Sequence, residues 1–119
     1  MQRLLEIQGG SRGFGHLADK VLIVTADLED ISFARERNDL YTNGGMFLMN
    51  LCYALHYERI GHCILNWSRE PAEDRAMREF IKIRPSESVI AILTCGEPTD
   101  EFDVCASPRD SAEGHFVEL

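Results

Sequence analysis

Between Met46 and Leu55 the chain reads MFLMNLCYAL, and almost every position is apolar. Read as a helix over 42–59, TNGGMFLMNLCYALHYER, this run has no polar stripe of ordinary width. A helix apolar on all sides must be covered on all sides. One domain of 119 residues has too few other elements to do that, so a second copy of the chain is the expected cover. Thr42 or Asn43 can cap the first turn, because their side-chain oxygens accept from the orphan amides there. Gly44 and Gly45 each cost on the order of 1 kcal/mol relative to alanine inside a helix. Two readings stand side by side for them: a frayed start, or close approach of a partner helix or ligand. Gly61 is expected to end the helix as a C-cap.

Three strands flank this helix. KVLIVTA over 20–26 is continuous and β-branched, as in a strand covered on both faces. Residues 62–67 form the second and SVIAILTC over 88–95 the third, closed by Gly96 and Pro98. MQRLLEIQ at the start reads as a helix stopped by Gly9 and Gly10. Pro71 opens another helix, with Ala76, Met77, Phe80 and Ile81 inward, and Pro85 breaks the chain beyond it. DLEDISFARERND between the first strand and the long helix is charged and reads as a surface loop with at most a helical turn. The stretch 99–119 has few apolar residues and is expected to run extended over the surface or onto a partner. The whole is one domain over 1–119, α/β or α+β, with helices packed on one sheet.

Charge narrows the function. A formal net charge of -8 disfavours nucleic acid, where affinity comes largely from Lys and Arg on phosphates, and disfavours an anionic membrane surface. No stretch has the length of a membrane-spanning helix. Cysteines stand at 52, 63, 95 and 105 without a CxxC pair, so zinc or thioredoxin-type chemistry is not expected. Those at 52, 63 and 95 lie in apolar runs and read as small buried hydrophobes of a reducing cytoplasm.

Side-chain catalysis finds little to work with. His62 and Cys63 are adjacent on a strand and so face opposite ways. His56 reads as a structural histidine on the buried helix. No two histidines have ligand spacing on a helix face, and no metal site is expected. GGSRGFGH is glycine-rich, but its glycines precede a strand instead of coming after one, so it reads as a flexible connector more than a phosphate loop. What remains is a site built from main chain: the tight turn and strand in RIGHCILNWS, with Arg109 as an isolated cation of the tail.

KVLIVTAD, then YTNGGMFLMNLCYALHYERIGHCILNW, then ESVIAILTCGEP resembles the second half of the nitroreductase-like, FMN-dependent oxidoreductases. The marks are Asn50-Leu51 within the long helix, Gly61-His62-Cys63 at the turn, and Gly96 after the last strand, in a match running from about Phe14 to about Arg109. The resemblance implies an α+β sandwich, a central sheet flanked by helices, here truncated at the N-terminus to the C-terminal portion of the domain. It implies an intertwined homodimer with FMN at the interface. It sets Cys63, Ile64, Leu65 and Asn66 beside the flavin ring through backbone amides, and Arg109 on the FMN phosphate. The reaction implied is hydride delivery from NAD(P)H to the flavin, then two electrons to a nitro compound or quinone-like acceptor. No catalytic side chain is required, because the cofactor carries the chemistry. The family's Arg-rich first segment and its Ser/Asn-rich flavin loop have no counterpart here. A cofactor-free dimeric remnant, acting as a structural or interaction protein, is the alternative expectation, and a small acidic interaction module a third.

Overall fold

The computed structural model describes residues 1–103, 106–111 and 114; Cys105 lies outside them, as does part of the tail beyond Thr99. Its elements are α1 (Gln2–Gln8), β1 (Lys20–Asp27), α2 (Asp39–Tyr57), β2 (Gly61–Asn66), α3 (Pro71–Ile81) and β3 (Glu87–Gly96), with short 3-10 turns after α1 and between β1 and α2. This is a mixed α+β domain.

The strands form one sheet in the order β1-β3-β2, and both outer strands run antiparallel to β3. β3, the central strand, is buried at Val89 and from Ala91 to Cys95. Ile92 and Leu93 are fully buried, one on each face. One face packs against α1 and α3 through Leu4, Leu5, Leu65, Met77, Val89 and Ile92. The other packs against α2 through Val24, Leu48, Cys52, Ala91, Leu93 and Cys95. Val24 pairs with Ala91 but Thr25 pairs with Val89, so Ile90 is an extra residue, a bulge. A bulge lets two successive residues share a face, and Ile90 and Ala91 both pack toward α2.

Helix α2 begins at Asp39, three residues before the expected start. Leu40 is buried and extends the row Leu40, Gly44, Leu48 and Cys52 by one turn. Thr42 is therefore inside the helix, its hydroxyl donating to the Asn38 carbonyl at 3.2 Å. Within a single chain only this row is buried. Met46, Phe47, Met49, Tyr53 and Tyr57 are exposed, so the apolar run covers the sheet with one face and leaves the other uncovered. Gly44 meets the sheet itself: a Cβ there would lie 2.9 Å from Ile90 Cγ1 and Cγ2, whereas one at Gly45 would meet nothing within 4 Å.

Other expectations are corrected. The helix is closed by Arg59, which takes the left-handed conformation at φ 57, and Gly61 already belongs to β2. Phe80 is 47% exposed, and the inward side of α3 is filled by the fully buried Met77 and the partly buried Ile81. His56 is exposed. Cys52 and Cys95 are buried, but Cys63 is exposed, because β2 is an outer strand.

Candidate functional site

The turn from α2 into β2 is built by three backbone bonds. The amides of Glu58, Arg59 and Ile60 donate to the carbonyls of Ala54, His56 and Leu55 at 2.9–3.0 Å. A non-glycine residue in left-handed backbone costs about 1–2 kcal/mol, and Arg59 bears that cost. Gly61 comes next because the chain then closes on the end of β3. A Cβ at Gly61 would stand 3.2 Å from the Gly96 carbonyl oxygen and 3.4 Å from Pro98 Cα.

Along β2 the side chains alternate. Leu65 is 5% exposed and lies under α1 and α3, opposite Ile92. Ile64 and Asn66, paired with Leu93 and Ala91, take the α2 face and are exposed. Cys63 pairs with Thr94, whose hydroxyl donates to the Cys63 carbonyl at 3.3 Å. The four expected residues are consecutive, but their side chains do not make one wall. What they share is the outer main-chain edge of the sheet.

The far end of β2 is braced by residues whose part the sequence did not signal. Gln8 is 2% exposed. Its amide nitrogen donates to the Asn66 carbonyl at 3.0 Å, and its amide oxygen accepts from the Gly10 amide at 2.7 Å. Arg69 donates to the Gln8 carbonyl. Trp67 packs against the core, and its indole N–H donates to Asp74 at 3.2 Å. Asp74 is also paired with Arg78 at 2.6 Å. Burial pushes the Asp74 carboxyl up, but the hydrogen bonds from Arg78 and Trp67 and the Arg78 charge outweigh it, so the carboxyl sits below its ordinary range. Sequence periodicity registers apolar spacing, and a buried glutamine at a helix end leaves no mark on it.

Arg109 is exposed and donates to the Ser107 hydroxyl and carbonyl and to the Pro108 carbonyl. Its guanidinium is thus held within its own loop. Among the described residues, a groove of about 880 Å³ lies beside β1 and the start of α2. A cavity of about 300 Å³ lies beside α1, and one of about 360 Å³ lies where the end of α2 meets Gly96. None of the three is lined by Cys63, Ile64, Leu65, Asn66 or Arg109.

No protein-family model and no curated protein matches the sequence. The structure, however, is similar to the crystal structure of the "Putative NADH Oxidase" from Clostridium acetobutylicum. The likeness has a TM-score of 0.68 and 13% identity, over 95% of this chain and 67% of that one. The chain has that protein's fold. At this identity the shared feature is the path of the backbone. No helix among the described residues is long and apolar enough to cross a membrane, and no group of three or more His, Cys, Asp or Glu among them could hold a metal ion.

Proposed function

We propose that the chain is an FMN-dependent oxidoreductase resembling nitroreductases, passing electrons from NAD(P)H to a nitro compound or quinone-like acceptor in the cytoplasm. The observation that carries this reading is the fold likeness to the NADH oxidase structure over 95% of the chain. It agrees with the ordered series of residues in which the sequence resembles that flavoenzyme family. The active unit is a homodimer, with the flavin between two copies. Support for the dimer comes from the uncovered side of α2, where Met46, Phe47, Met49, Tyr53 and Tyr57 are exposed together. An apolar face of this kind marks an interaction surface. A second copy seated there would supply the walls that one chain lacks around the outer edge of β2.

The competing reading is a cofactor-free dimer of the same fold. That none of the three cavities described above is lined by Cys63, Ile64, Leu65, Asn66 or Arg109 favours it. Absorbance of the purified protein separates the two. A yellow preparation that releases FMN on denaturation, or that takes FMN up when supplied, supports the flavoenzyme. A colourless protein that leaves added FMN unquenched supports the remnant. Substituting Arg109→Ala is expected to weaken FMN binding about tenfold, as for loss of a charge-assisted bond to phosphate. An unchanged affinity removes Arg109 from the site.

A further inference from the structure

The glycine-rich segment after α1 is folded against the helix instead of hanging free. The amides of Phe14 and Gly15 both donate to the Ser11 carbonyl, at 3.1 and 2.7 Å. A 3-10 turn then carries His16. Between this segment and α1 lies the cavity of about 300 Å³, at the lower end of the range for small-ligand sites. Ser11, Arg12, His16 and Glu6 line it.

Two independent features point to a ligand. Ser11 is only 5% exposed, yet its hydroxyl makes no hydrogen bond among the described residues, and no fully enclosed side-chain oxygen is left without a partner. The Oγ is therefore not fully enclosed, and Ser11 is one of the residues that line the cavity. Gly15 makes room for it, since a Cβ there would stand 2.7 Å from Ser11 Oγ. Secondly, Arg12 and His16 are exposed and form no ion pair among the described residues, although acidic groups outnumber Lys and Arg by 20 to 12 in the chain. The one carboxylate at the cavity, Glu6, is paired with Arg3 at 3.3 Å. A buried hydroxyl that shares a cavity lining with an arginine and a histidine suits an oxyanion, because charged acceptors gain most from such donors.

We propose that this cavity binds a phosphoryl group, either free phosphate or the phosphate of a small monoester. Ser11 Oγ, the Arg12 guanidinium and a ring N–H of His16 donate to its oxygens. This site stands apart from the flavin reading and depends on neither Asn66 nor Arg109.

The test is an amide NMR titration of the full chain at constant ionic strength, with inorganic phosphate in one arm and glycerol 3-phosphate in the other. Saturable shifts confined to residues 11–16 and their α1 neighbours are expected. Saturation by phosphate alone assigns the site to the free ion, and saturation by both assigns it to phosphate-bearing ligands. Arg12→Gln should weaken binding about tenfold, while Arg37→Gln, at an exposed arginine that does not line the cavity, should not. Ser11→Ala should weaken it severalfold; if that variant folds poorly, Arg12→Gln carries the test alone. Equal shifts with chloride, no saturation, or an unchanged affinity in Arg12→Gln would overturn the proposal. Any of these outcomes leaves the flavin assay unaffected.

Discussion

The Gln8 side-chain amide donates to the main-chain carbonyl of Asn66 at 3.0 Å, tying the end of α1 to the end of β2 across 58 positions of sequence. The same side chain accepts from Gly10. One buried amide thus fixes both the helix stop and the strand end.

Replacing Gln8 should show this directly. In Gln8→Ala the part-buried bonds to Asn66 and Gly10 are lost, at a cost of about 0.5–1.5 kcal/mol each. Gln8→Glu keeps an acceptor for Gly10 but loses the donor to Asn66, and it should cost as much or more. Urea unfolding monitored by Trp67 fluorescence reads both; an unchanged midpoint in each would show that the link is not structural.

Adjacent glycines in α2 should respond with opposite sign. Gly45→Ala meets open space and should stabilise a single chain by up to about 1 kcal/mol through helix propensity. Gly44→Ala gains the same propensity but drives a methyl into Ile90, and overpacking of this kind costs about 1–3 kcal/mol. Thermal unfolding of the two variants, compared side by side, checks the difference.

Met77→Ala empties the one fully buried position of α3. A loss of about 2–5 kcal/mol is expected. The matching change at Phe80, which is 47% exposed, should cost far less. Denaturant midpoints that fall equally for both would contradict the orientation of α3.

Acid should loosen the Trp67–Asp74–Arg78 cluster. The Asp74 carboxyl is held below its ordinary range. Its contribution is therefore complete at pH values above the ordinary aspartate range and is lost as pH falls through the lowered folded value. Stability measured from pH 6 down to pH 3 should decline less steeply in Asp74→Asn than in the parent. Identical slopes would show that Asp74 is not linked to folding.

Breaking the proposed dimer needs a charge on the uncovered side of α2. Tyr53 is 68% exposed in one chain, so Tyr53→Glu should leave the fold intact while weakening self-association at least tenfold. Desolvating an unpaired carboxylate in an apolar interface is costly. Sedimentation velocity at micromolar concentration reads the outcome, and a parent that is already monomeric would remove the dimer from the account.

Much of this architecture could be read from residue order. The strands stand within a residue of their expected limits, because KVLIVTA and SVIAILTC are continuous and β-branched. Pro71 opens α3 and Gly9 closes α1 as their backbone preferences dictate. Apolar composition does not by itself dictate burial: Cys63, on an outer strand, and Phe80, on the outward side of α3, are exposed to water. Strand order is a long-range property, and nothing local in β3 announces that it lies between the other two. At the site, alternation along β2 was legible at His62 and Cys63. The role of Gln8 was not, because its partner lies 58 residues away.

The central position of β3 has a consequence for synthesis. The strand that both others need is the last of the three to be made. Until it emerges from the ribosome, β1 and β2 have no neighbour in the sheet to pair with, and exposed strand edges are templates for aggregation. A nascent chain stalled before Glu87 would therefore carry both strands as open edges, ready for a chaperone or a protease.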